Sequence, residues 1–176
     1  MSLADRRVLL VITGGIAAYK SLDLIRRLRE RGASVRAILT EAATRFVTPL
    51  SVQALTGNKV HGDIFSLTEE SEMGHLRLAQ EADLIVVAPA TADMLAKMAA
   101  GIADDLATTL LLATDKPVIA VPAMNLRMWL HPATVRNVAQ LRADGVTVIE
   151  PDEGPMACGE YGPGRLPTIE RIAAAV

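Results

Sequence analysis

Three short runs, RRVLLVITGG (6–15), ADLIVVAPATAD (82–93) and KPVIAVPAMN (116–125), each hold an unbroken apolar stretch that ends at glycine or at Pro-Ala. A strand with one wet face alternates polar and apolar residues; an unbroken one is covered on both faces, as in a parallel sheet between two layers of helix. Each run is also far shorter than the ~20 residues that span a bilayer, so no membrane role is expected. SVRAILT (34–40) and VTVIEP (146–151) read as further strands, with a weak one around Lys59–His61, giving about six. Between the first two strands, Ala18, Leu22, Ile25 and Leu28 form an apolar stripe at helical spacing until Gly32, and PLSVQALTG (49–57) is a second helical stretch. Strands alternating with helices predict an α/β fold of three layers, a parallel sheet with helices on both faces.

The 176 residues suit one domain, 1–176, with no repeat or linker to mark a second. Hydrophobic residues make up 51% and aromatic residues only 3%, so the core is built from aliphatic side chains and Met. A net charge of -2 leaves no basic footprint, and Arg26, Arg27, Arg29 and Arg31 alternate with Glu30 on a solvated helix face, so nucleic acid is not an expected partner. The N-terminus lacks the pattern of a secretory leader, and a cytoplasmic location is expected. The single cysteine excludes an internal disulfide, and no CxxC or HxxxH spacing offers a metal site. Any cofactor is therefore expected to be organic.

In open parallel sheets, ligands bind beyond the carboxyl ends of the strands where strand order reverses. The segments 13–17, 40–46, 88–93 and 121–125 are thereby expected to share a crevice. TGGIAAYK lacks the GxGxxG spacing of dinucleotide folds, which disfavours NAD. Its Gly14-Gly15 turn into a helix suits a phosphate, or is only a tight turn. Thr91 is placed to cap the helix starting near Ala92, and the same hydroxyl and N–H groups suit a phosphate or a flavin edge. His75 stands at the start of a helical stretch, as a structural residue or an acid–base group. Asn125 either holds its own turn or donates its amide to a carboxylate. Cys158 lies in EGPMACGEYGPGRLP (153–167), among glycines and prolines that allow no long element. It is either an exposed bystander or a proton donor on a segment covering the site, about 151–167.

In order along the chain, GGIAAYK, GHLRLA, APATAD, GIADDLATT, PAMN and ACGEYGPGRLP resemble the flavin-containing cysteine decarboxylases, over about residues 6 to 167. The branch most similar converts 4′-phosphopantothenoylcysteine to 4′-phosphopantetheine in coenzyme A biosynthesis. The resemblance implies a Rossmann-like domain that binds FMN and assembles as trimers, or as dodecamers of trimers, with flavin at the subunit interface. It implies FMN contacts at Gly14, Gly15 and Ile16, at Thr40 and Phe46, at Thr91, Ala92 and Asp93, and at Ala123. It further implies His75 as the catalytic base, Asn125 as ligand of the substrate carboxylate, Cys158 as the proton donor, and Met156 and Ala157 as backbone contacts to substrate. In the family chemistry, oxidation at the carbon bearing sulfur makes loss of carbon dioxide feasible, and the resulting enethiolate is then protonated and reduced. A synthetase, fused or separate, would be the partner activity.

Three other readings compete. A peptidyl-cysteine decarboxylase would need the same Asn and flavin, but can release its enethiol without the cysteine-bearing segment. A flavin prenyltransferase would carry a Ser-Gly-Ala-Ser-Gly turn where this chain has TGGIAA. A regulatory flavoprotein subunit is the non-enzymatic reading, without the acidic tail of such subunits.

Overall fold

The computed structural model describes residues 3–62 and 77–176. Five strands form one sheet: β1 (Arg7–Ile12), β2 (Ser34–Leu39), β3 (Leu84–Ala90), β4 (Val118–Pro122) and β5 (Thr147–Val148). Their order is β2-β1-β3-β4-β5 and all four pairings are parallel. The chain thus lays β2 on one side of β1 and β3 on the other, and the switch point falls between β1 and β3.

Among the described residues the sheet has five strands, against the about six expected. Near Lys59–His61 a single residue pairs: His61 bridges Ile38, donating to Ala37 O at 3.1 Å and accepting from Leu39 N at 2.9 Å. VTVIEP contributes only Thr147–Val148; Ile149 N still donates to Ala120 O at 3.0 Å before the chain leaves the sheet.

The strand period of two sorts the core into two layers. Val8, Leu10 and Ile12 of β1 pack toward α1 (Lys20–Glu30), α2 (Pro49–Thr56) and α8 (Ile169–Ala175). Leu9 and Val11 pack on the opposite face, with residues of α3 (helical over 77–81), α4 (Ala92–Ala100), α5 (Leu106–Ala113) and α7 (Pro132–Ala143). A short helix, α6 (Leu126–Trp129), follows β4.

In α1 the buried stripe is Ser21, Leu24, Ile25 and Leu28, while Leu22 is only partly buried. Ser21 enters the core because its hydroxyl donates to Ala88 O at 2.8 Å, so the buried polar group is satisfied. Helix α2 has the expected ends: Thr48 caps Ser51 N, proline follows it, and Gly57 closes the helix in the left-handed conformation. At the amino ends of β1 and β3, the Asp83 carboxylate accepts from Arg7 N at 2.9 Å, from Arg7 Nε at 3.2 Å and from an Arg7 terminal nitrogen at 2.7 Å.

Beyond the sheet, β6 (Asp152–Pro155) and β7 (Tyr161–Arg165) pair antiparallel as a hairpin. The glycine- and proline-rich segment thus has short regular structure, and glycine makes it possible: Gly154, Gly162 and Gly164 have φ of 155°, 152° and 148°.

Candidate active site

The carboxyl ends of β1, β3 and β4 open onto a cavity of about 470 Å³, closed on another side by the hairpin. After β1, Gly14 must lack a side chain, since a Cβ there would lie 2.4 Å from Ala42 Cβ. Gly15 is different: a Cβ there would meet only Thr91 Cγ2, at an ordinary contact distance of 3.8 Å. Gly15 and Ile16 line the cavity where a 3-10 turn, Ile16–Tyr19, leads into α1.

After β3, Thr91 caps α4 by accepting Met94 N at 3.2 Å. The cap leaves the N–H groups of Ala92 and Asp93 without intrahelical acceptors, and Thr91 and Ala92 line the cavity. Buried Thr13, just past β1, donates to Pro89 O at 2.6 Å and accepts from Thr91 N at 3.2 Å, tying the two strand ends together.

After β4, Ala123, Met124 and Asn125 reach the cavity. Asn125 caps α6: its Oδ1 accepts Met128 N at 2.8 Å. The two readings of Asn125 are therefore compatible. With Oδ1 committed to the turn, the Nδ2 amide is left to donate elsewhere, and it has no partner among the described residues.

The hairpin brings Met156, Ala157 and Cys158 to the same cavity. Cys158 is exposed, and its Sγ donates to Glu160 Oε2 at 3.6 Å. Seating of the hairpin is close. Met124 N donates to Gly164 O at 3.0 Å, and a Cβ on Gly164 would fall 2.3 Å from Met124 O.

Of the residues singled out in the sequence, Gly14, Gly15, Ile16, Thr91, Ala92, Ala123, Asn125, Met156, Ala157 and Cys158 share this cavity. Thr40 and Phe46 are not among its lining: Thr40 Oγ1 accepts Ala43 N at 3.2 Å, and Phe46 is exposed. The Asp93 side chain turns away to Lys97 at 3.3 Å; Asp104 and Asp93 together hold that ammonium above the usual lysine range. His75 lies outside the described residues.

Sequence reasoning passed over Lys20 and Arg165, which also line the cavity. Both sit at the ends of quoted motifs, GGIAAYK and GPGR, where a cation beside small residues was the available signal. Neither makes an ion pair with a described residue, and no carboxylate side chain is among the described residues lining the cavity. In a chain of net charge -2, that is a pocket built for anions. Its walls of Ala17, Ala92, Ala123 and Met124 suit a flat apolar ring, and free N–H groups at the loop ends suit a phosphate. The donor set thus fits a flavin mononucleotide.

The flavoprotein family model matches residues 1–176. The coenzyme A biosynthesis bifunctional protein CoaBC of Vibrio vulnificus (strain YJ016) is 52% identical over 165 residues, 94% of this chain and 41% of its own length. This chain therefore spans about two-fifths of such relatives. Among solved structures, a cysteine-to-serine mutant of PPC decarboxylase complexed with pantothenoylaminoethenethiol aligns with a TM-score of 0.84 at 33% identity, over 97% of this chain and 96% of that one. The FMN-dependent cysteine decarboxylase SpaF aligns with a TM-score of 0.84 at 33% identity, covering 99% and 97%.

Proposed function

The chain belongs to the flavoprotein family, and we propose that it binds FMN and decarboxylates 4′-phosphopantothenoylcysteine to 4′-phosphopantetheine in coenzyme A biosynthesis. The observation that carries the reading is the convergence of Asn125 and Cys158 on one cavity at the β1/β3 side of the sheet, whose described lining residues include no carboxylate. The likeness to CoaBC and to a PPC decarboxylase that holds an enethiol in a cysteine-to-serine form supports the substrate. Its partner activity is a synthetase, fused or separate.

FMN is held by the backbone of Gly14, Gly15 and Ile16, the N–H groups after Thr91, and the wall around Ala123, with Thr40, Phe46 and Asp93 as neighbouring contacts. When bound, it supplies the two-electron oxidation at the carbon bearing sulfur and the matching reduction that ends the cycle. The Asn125 amide donates to the substrate carboxylate and fixes the bond to be broken. Loss of carbon dioxide needs that carboxylate desolvated, and the hairpin at 151–167 keeps water from it. Met156 and Ala157 hold the substrate through backbone groups. The Cys158 thiol then delivers a proton to the enethiolate carbon. His75 is the base, and Lys20 with Arg165 balances the anionic groups in the cavity.

Ile16 and Tyr19 at the cavity are apolar and 64% and 57% exposed, which suits cover by a second copy of the chain in a trimer or a dodecamer of trimers. The chain acts as one domain, 1–176, in the cytoplasm.

Anaerobic incubation of the purified protein with 4′-phosphopantothenoylcysteine, following product mass and the flavin spectrum, tests the reading. Formation of 4′-phosphopantetheine with oxidised flavin at the end supports it. A yellow protein that leaves the substrate unchanged, or that acts only on a C-terminal peptide cysteine, overturns it.

A further inference from the structure

We infer that Glu160 is a positioning residue that holds the Cys158 thiol in register with Asn125; the inference rests on the reading of Cys158 as the proton donor. At the hairpin tip, Met156 N donates to Glu160 O at 2.9 Å and Gly159 N donates to Met156 O at 3.0 Å. Gly159, at φ 83°, supplies the left-handed residue that such a turn needs. This closure places the Glu160 carboxylate beside the sulfur, where Oε2 accepts from Sγ at 3.6 Å.

The second oxygen reaches a different element. Glu160 Oε1 accepts from Arg127 Nε at 3.1 Å, and Arg127 lies in α6, the helix that Asn125 caps. One carboxylate therefore spans from the proposed proton donor to the helix of the proposed carboxylate ligand. The hairpin also sits close to α6 and the residues leading into it: Met124 N donates to Gly164 O at 3.0 Å, and the Leu126 side chain packs so near Gly162 that a Cβ there would lie 2.9 Å from it.

Glu160 does not itself line the cavity that Cys158 lines, so it acts through the thiol rather than on the substrate. The Arg127 side chain is 86% exposed, and an ion pair so exposed adds little stability. What the pair supplies is direction. A cysteine at an exposed turn otherwise divides itself among three staggered rotamers, and the bond to Glu160 favours one of them.

Two measurements test this, the first without substrate. Cys158 is the only cysteine, so its alkylation by iodoacetamide reads one sulfur. Alkylation needs the sulfur released from its acceptor as thiolate, and Glu160→Ala should be alkylated about fivefold faster than the parent, with Glu160→Gln between them. An unchanged rate overturns the inference. Second, rapid mixing with 4′-phosphopantothenoylcysteine separates flavin reduction from reoxidation. In Glu160→Ala, reoxidation should slow about tenfold while KM and flavin reduction stay within about twofold, with partial rescue by Glu160→Gln. Parental reoxidation, or a parallel fall of KM and both half-reactions as expected of a lost hairpin, overturns it. If the parent protein leaves the substrate untouched, the decarboxylase reading fails, and the alkylation rates alone decide whether Glu160 places the thiol.

Discussion

Thr13 and Thr91, 78 residues apart, are joined by a 3.2 Å hydrogen bond from the Thr91 N–H to the Thr13 hydroxyl, which also donates to Pro89 O at 2.6 Å. Both loops of the switch point thus hang on one buried oxygen. Thr13→Val keeps the shape but strands two backbone groups, and should cost about 1–3 kcal/mol in denaturant unfolding. Thr13→Ser should lose well under half of that. Equal stability of Thr13→Val and the parent would refute the linkage.

Asn125 serves the turn with one side-chain atom and is free to serve a ligand with the other. Asp caps helices as well as Asn does. Asn125→Asp should therefore keep the melting temperature while kcat/KM falls at least about 100-fold, because a donor is replaced by a charge that repels the substrate carboxylate. A parallel loss of stability and activity would instead mark Asn125 as structural.

Cys158→Ser should complete the first half-reaction and stop. The expected signature is a product mass for the enethiol together with reduced flavin, since a hydroxyl is a far weaker acid than a thiol. Full turnover with oxidised flavin at the end would remove Cys158 from the mechanism.

Gly164 has φ 148° and no room for a Cβ against Met124 O. Gly164→Ala should unseat the hairpin from Met124 in the loop after β4, with protease cleavage between 151 and 167 rising and flavin content unchanged. Loss of flavin in step with cleavage would show that the hairpin also holds the cofactor.

Arg7, through its hydrogen bonds, lowers the Asp83 carboxyl to about 2 from 3.8. A folded-state value below the unfolded one gives stability that is present above about pH 4 and lost as pH falls toward 2. The melting temperature of the parent should exceed that of Asp83→Asn at pH 6, and the gap should close between pH 4 and 2. A gap that stays constant across that range would mean the carboxylate charge is not what Arg7 holds.

The unbroken apolar runs determined the class of this fold, because a strand without a polar face has to be covered on both sides. PAMN and ACGEYGPGR likewise drew attention to Asn125 and Cys158, which the structure brings to one cavity. What the sequence could not determine depends on groups distant along the chain. Leu22 stands at helical spacing yet is only partly buried, while Ser21 is buried because Ala88, 67 residues on, offers it an acceptor. His61 pairs with one residue of β2, where local pattern suggested a strand. That Lys20 and Arg165 line one space, with no carboxylate among its described lining residues, was decided by tertiary structure, since it takes α1 and the hairpin to bring them there. Side-chain pattern determines which faces must be buried; the partner each polar group finds there is decided by the packed chain.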